Sequence, residues 1–279
     1  MMKSLKKLDS SFCSHIRWSG NLRIEMIKLK TKEDIEILRE GGKHLSFVLF
    51  QLKKAAKPGV TTKELDDLAY KLTIEKGDTP AFLNYQPYGA DRPYPASACI
   101  SINNEIVHGI PNESEKILKE GDIVSLDMGL IHKGLFVDSA ITVPVGKIDD
   151  AAKKLLKATR ESLEAGIKAV KVGGHIGDIG AAIESVAKKY KFGIAEGLCG
   201  HGVGFAVHED PYVPNEGMTG EGPELVPGLV IAIEPMFNEG TGQIKLAKDK
   251  WTYVTKDGKR SAHFEHTIAV TEEGIEILT

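Results

Sequence analysis

Gly121-Asp122-Ile123-Val124-Ser125-Leu126-Asp127, followed by Val137-Asp138-Ser139-Ala140-Ile141-Thr142-Val143, is the stretch on which the reading of this chain turns. It recurs in altered form as Gly228-Leu229-Val230-Ile231-Ala232-Ile233-Glu234 and Phe264-Glu265-His266-Thr267-Ile268-Ala269-Val270. In each copy an acid stands six residues after a glycine, at the end of an apolar run, and a second acid opens an acid-x-x-Ile-x-Val run. Strand geometry puts residues two apart on one face. Asp127 then shares a face with Ser125, Asp138 with Ala140 and Thr142, Glu234 with Ala232, and Glu265 with Thr267 and Ala269. The opposite faces carry Val124, Leu126, Ile141, Val143, Ile231, Ile233, Ile268 and Val270. One face is built for a core, and the other gathers small residues around acids. A single acid at a strand end reads as a turn or solvated residue. Two matching pairs in an internal repeat read differently, because carboxylates are rarely buried without a partner. Four of them in apolar, sheet-like segments call for a cation, most economically a pair of metal ions.

The remaining composition excludes several classes. The chain has 279 residues, 27% charged and 42% hydrophobic, with a formal net charge of −3. That is ordinary for a globular protein with a sizeable core, and it gives no support for nucleic-acid binding. Its three cysteines, Cys13, Cys99 and Cys199, form no Cys-x-x-Cys. This argues against a disulfide framework or a thiolate zinc site and fits a reducing compartment. No apolar run approaches the ~18 residues of a membrane span.

Taken in order, residues 1–25 are basic and aperiodic, and read as a loosely ordered extension rather than a secretory signal. Organised sequence starts at Met26, which makes Met26 a candidate start; native peptides upstream of it would overturn that. Residues 26–279 read as one domain with internal pseudo-symmetry, each half a pair of helices plus strands. The apolar spacing predicts a helix from Thr31 to Lys57, and Thr61 with Glu64 forms a capping box for a second, ending near Gly77. Two more helices are expected near 149–171 and 176–191, and a strand at Cys99–Asn103. Residues 78–98 carry Phe82, Tyr85, Tyr88 and Tyr94 among four prolines. Such aromatics either line an apolar pocket or pin a surface loop, and the segment alone favours neither. His108 stands at a turn, and His201 is flanked by glycines that allow close backbone approach. Alone, each of His108, His201 and His208 reads more readily as a structural histidine. The Gly197–Gly204 run is neither a phosphate loop nor a dinucleotide fingerprint.

Asp127, Asp138, His201, Glu234 and Glu265 make an oxygen-rich set with one imidazole, suited to two divalent ions bridged by carboxylates. Manganese, iron(II), cobalt and zinc all fit. At these residues the chain resembles the type I methionine aminopeptidases. The resemblance runs from about Met26 to Thr279 and rests on Asn104–Pro111, Asp127-Met128-Gly129, Val137–Ala140, Gly200-His201-Gly202-Val203-Gly204, Ala232–Met236 and Phe264–Thr267. It implies an α+β "pita-bread" fold: a pseudo-two-fold, curved antiparallel sheet covered by two helix pairs. It implies that those five residues hold the metals, with Asp138 and Glu265 bridging and Glu234 also carrying the proton of the attacking water. His208 would contact the scissile carbonyl, and His108 the substrate amide nitrogen or leaving group.

The same resemblance implies a methionine pocket of Tyr85, Tyr88, Cys99 and Trp251. Phe82 stands where relatives carry a small residue, and Val207 where they carry phenylalanine. One lost ring and one gained ring can balance in volume, so a methionine preference is expected, and a preference for leucine would refute it. The loop from Gly89 to Ala98 is longer than in compact members. A monovalent-cation site is implied near Asn103 and Ser261. The activity implied is removal of the initiator methionine from nascent chains when the second residue is small, in the cytoplasm near the ribosome, by a monomer with no membrane or nucleic-acid partner. The alternatives are an X-Pro aminopeptidase or prolidase on the same fold, which usually carries an extra preceding domain, and a non-catalytic binding relative that has lost ligands.

Overall fold

The computed structural model describes residues 27–279; the readings of residues 1–25 and of Met26 lie outside the described residues. Four helices occur among these: α1 (Lys32–Ala55), α2 (Thr62–Glu75), α3 (Asp150–Ala169) and α4 (Ile176–Tyr190). The strands before α3 are β1 (Thr79–Pro80), β2 (Cys99–Ile102), β3 (Glu105–Val107), β4 (Ile123–His132) and β5 (Leu135–Pro144). After α4 come β6 (Gly193–Ile194), β7 (Cys199–Gly202), β8 (Glu209–Pro214), β9 (Val230–Ile233) and β10 (Met236–Asn238). The chain closes with β11 (Ile244–Leu246), β12 (Tyr253–Thr255), β13 (Ser261–His263), β14 (Glu265–Thr271) and β15 (Gly274–Ile277).

The expected helices form where their caps put them. Thr31 and Thr61 each accept from the backbone N–H three residues on, while Asp34 and Glu64 reach back to the threonine N–H. Such a cap is worth about 1 kcal/mol. Asp149 caps α3 through the Ala152 N–H.

One sheet organises the rest, in the order β1-β4-β5-β14-β9-β7-β8, with β2 added on β4 and β15 on β14. Its ladders are antiparallel. The β4–β5 hairpin belongs to the first half and the β14–β9 pair to the second, and they join along β5 and β14. Period-two alternation then decides the layers. Leu126, Met128, Leu130, Val137 and Val143 point to one face and pack under Leu38, Leu45, Val48 and Leu52 of α1. Ile231, Ile233, Ile268 and Val270 do the same under Leu155, Leu163, Ile179 and Ile183 of α3 and α4. The result is the expected α+β architecture, a curled antiparallel sheet with two helix pairs.

Two small sheets were not expected from sequence. β13-β10-β6 and β11-β12-β3 each have three strands. The second matters for function, because the Tyr253–Val107 pairing carries His108 to the segment holding Trp251. Cys99 is a buried free thiol.

Leu126 is fully buried between β4 and α1. Leu126→Ala is expected to destabilise the fold by about 2–5 kcal/mol, read as a lower midpoint in urea unfolding at unchanged slope.

Candidate metal centre

Register places the five candidate donors in two adjacent rows on the sheet face away from the helices. Asp127 pairs with Ala140, and Ala140 with Glu265, so these three lie in one row across β4, β5 and β14, with Cys99 at its end. Asp138 lies two residues before Ala140 on β5. Its N–H donates to Thr267 Oγ1 at 3.1 Å, and its carbonyl accepts from the same hydroxyl at 2.7 Å. Thr267 pairs with Ala232, and Ala232 with His201. Glu234 follows just past the end of β9. The positions between donors are therefore Ala140, Thr267 and Ala232, small enough to leave space above the sheet.

Asp138, His201 and Glu265 each bring a ligand atom within 4.8 Å of the other two. Glu234 Oε1 lies 3.5 Å from His201 Nε2. Asp127, Asp138, His201 and Glu265 are buried. Asp138 Oδ1 and Glu265 Oε1 have no hydrogen-bond partner. Burial first, and then the charge of the neighbouring acids, push the carboxyls of Asp127, Asp138 and Glu265 well above the usual range. Buried carboxylate oxygens with no donor, converging with an imidazole, fit divalent cations.

The backbone prepares His201 for this role. Its Nδ1 donates to the Gly202 carbonyl at 2.9 Å, which leaves Nε2 facing the acids. Side chains are barred on either side: a Cβ on Gly200 would stand 2.2 Å from the Ala232 carbonyl oxygen, and one on Gly202 2.3 Å from that of Asp210.

Two further histidines border the donors. The His208 ring lies 4.4 Å from that of His201, near perpendicular, and its Nδ1 is 3.1 Å from the Tyr85 hydroxyl. Burial, then His201 and His108, hold His208 well below the ordinary imidazole range. His108 has φ of +58°, a left-handed conformation uncommon outside glycine. Thr252 Oγ1 donates to its carbonyl at 3.2 Å, and its ring sits 6.2 Å from Trp251 and 5.9 Å from Tyr253. Burial lowers its pKa to about 4 against the opposing charge of Glu234. Both rings are neutral near pH 7.

Phe82, Cys99 and Val207 share one buried apolar cluster with Tyr94, and Tyr85 and Trp251 pack against it. Phe82 and Val207 thus meet in the same space. Tyr88 stands outside it, 71% exposed. Asn103 and Ser261 come together, the Ser261 N–H donating to the Asn103 carbonyl at 2.8 Å.

Sequence reading missed one neighbour and left another undecided. His263 is buried, with Nε2 3.3 Å from Glu234 Oε2 and neither ring nitrogen in an aligned hydrogen bond. Its place two residues before Glu265 was the available signal. Tyr94 donates to the Gly109 carbonyl at 2.9 Å, tying the 89–98 loop to the turn that carries His108.

The raised carboxyls have a consequence for stability. A folded pKa above the unfolded one gives stability that is present at low pH and lost as pH rises. The lowered histidines act oppositely, and only below about pH 6.5. The metal-stripped protein is therefore expected to melt at progressively lower temperature as pH rises through the raised folded pKa of these carboxyls. Added manganese should flatten that slope. A flat profile without metal in differential scanning calorimetry would contradict this account.

The chain matches the description Metallopeptidase family M24 over residues 36–272. Methionine aminopeptidase 1 of Bacillus subtilis (strain 168) is 45% identical over 254 residues, covering 91% of this chain and 99% of that protein. The methionine aminopeptidase of Aquifex aeolicus (strain VF5) is 46% identical over 255 residues, covering 91% and 98%. The crystal structure of methionine aminopeptidase from Rickettsia prowazekii superposes with a TM-score of 0.86 at 38% identity, covering 91% of this chain and 100% of that one. An Xaa-Pro dipeptidase from Bacillus anthracis, at 22% identity and TM-score 0.70, shares the fold alone. The chain belongs to metallopeptidase family M24, among its methionine aminopeptidases.

Proposed function

We propose that this chain is a metal-dependent aminopeptidase that removes the initiator methionine from nascent proteins when the second residue is small. One observation carries the reading. Donors from both halves of the chain converge on one buried sheet face, with orphaned carboxylate oxygens, beside two neutral histidines and an apolar cluster.

Asp127, Asp138, His201, Glu234 and Glu265 would hold two divalent ions. The bound ions supply an acidified water and a Lewis acid for the scissile carbonyl. Glu234 takes and returns the proton of the attacking water, and its second oxygen is held near His263. His208 presents Nε2–H to the carbonyl oxygen; in that tautomer its Nδ1 accepts from the Tyr85 hydroxyl 3.1 Å away. His108, uncharged and held by its strained turn, offers a hydrogen bond at the substrate amide without bringing positive charge near the metals. Phe82, Tyr85, Cys99, Val207 and Trp251 receive the methionine side chain, with Tyr88 at the exposed rim. Asn103 and Ser261, joined by a backbone hydrogen bond, would lie at a monovalent-cation site.

Residues 26–279 act as one catalytic domain, a monomer working on peptide N-termini in the cytoplasm as chains leave the ribosome. No helix among the described residues is long and apolar enough to cross a membrane.

The test strips the protein of metal and restores manganese, cobalt, iron(II) or zinc singly, each with Met-Ala-Ser, Leu-Ala-Ser and Ala-Pro-Ser. Metal-dependent release of methionine alone is expected. Release only from Ala-Pro-Ser would move the chain to the proline-specific relatives, and no release with any metal would refute the activity. Asp138→Asn is expected to lower metal affinity and activity by more than about 100-fold. His208→Ala should keep the metal and lower kcat by about 10²–10³-fold.

A further inference from the structure

A second cluster of metal-ligand side chains lies on the other face of the sheet. His132 ends β4, an odd number of residues from Asp127. It therefore points with Leu126, Met128 and Leu130 into the helix-covered layer. There it meets His44 of α1 and Asp78 of the turn between α2 and β1. His44 Nδ1 is 2.8 Å from Asp78 Oδ2, and His132 Nδ1 is 2.7 Å from Asp78 Oδ1. The two rings stand near perpendicular, 5.1 Å apart. One ligand atom from each residue lies within 4.8 Å of the other two.

We propose that His44, Asp78 and His132 form a second divalent-metal site, of the class that takes zinc, with a structural role distinct from the five-donor centre. Three features carry this.

The first is the donor set. Two imidazoles and one carboxylate suit zinc, whereas the centre on the opposite face offers four carboxylates and one imidazole. Zinc bonds of about 2.0–2.1 Å to nitrogen and oxygen put tetrahedral ligands about 3.3 Å apart. The present Nδ1–Oδ spacings need to open by roughly half an ångström.

The second is the outer arrangement of His132. A ligating histidine usually passes its other ring N–H to a carboxylate. His132 Nε2 is buried without an aligned hydrogen bond, and Glu40 Oε2 lies 3.2 Å away. Glu40 is held there by Lys133 at 2.6 Å. With the ion on Nδ1, each ring carries its proton on Nε2, and a small turn of the Glu40 carboxylate accepts the one from His132.

The third is the space made for the rings. Gly41 sits one turn before His44 on α1, and a Cβ there would stand 2.8 Å from the His132 Cβ. Any larger residue would push β4 and α1 apart at this point. Asp78 is almost fully buried, while the His44 side chain is 22% exposed and leaves a path for the ion and a water as fourth ligand. Once bound, the ion would tie α1, the α2–β1 turn and β4 together.

The experiment counts zinc. Full-length protein is stripped with chelator, exposed to zinc sulfate, desalted and analysed for metal and protein. The wild type is expected to retain one more zinc per chain than His44→Gln, and His132→Gln to match His44→Gln. His44 lies partly exposed on a helix, so this variant keeps its fold, checked by circular dichroism and by manganese-supported methionine release. In an Asp138→Asn background, which disables the other centre, zinc should still raise the melting temperature. Adding His44→Gln should abolish that rise. Equal zinc retention by wild type and folded His44→Gln, or a zinc-induced rise that survives in the double variant, would overturn the proposal.

Discussion

The structure depends on keeping several carboxylates together in a place where they repel. Asp127, Asp138 and Glu265 are buried within reach of one another and of Glu234. Desolvation and mutual charge both oppose their ionisation. Such a cluster is tolerated when a cation neutralises it and the scaffold is stiff enough to hold the donors apart. The scaffold here is a continuous antiparallel ladder. Backbone hydrogen bonds along β4, β5, β14 and β9 set the donor spacing, and two helix layers back the opposite face. A slip of one residue in any ladder would turn its acid into the apolar layer.

The same constraint explains local choices around the centre. Alanine and threonine occupy the positions between donors. Glycines flank His201 because the Ala232 and Asp210 carbonyls crowd both sides. His201 Nδ1 is committed to a carbonyl, so only Nε2 remains for an ion. His108 and His208 border the acids uncharged, held so by burial. Neutral imidazoles can direct hydrogen bonds at a substrate without competing with a cation for the carboxylates.

Much of this was legible in the chain because it is written in short-range pattern. The capping boxes at Thr31 and Thr61 and the apolar spacing behind them announced α1 and α2. The repeated glycine-to-acid spacing announced two equivalent hairpin-like units, and strand parity sorted donors from core residues. What escaped were contacts between segments distant in sequence. His263 reaches Glu234 only because β13 folds back on β10. Tyr88 looked like its aromatic neighbours yet turns outward, since alternation has no hold on a proline-rich loop. His44, Asp78 and His132 showed no pattern at all, being brought together from a helix, a turn and a strand end.

By itself, then, the sequence determined the elements, their buried faces and the residue types available for chemistry, because periodicity and capping act within a few residues. The tertiary structure alone decided which side chains share a site. Cross-strand register set Asp127, Ala140 and Glu265 in one row, and the Tyr253–Val107 pairing brought His108 beside Trp251. The physical reason is that such contacts follow from pairing and packing across the whole chain, where each donor's position depends on strands it does not belong to.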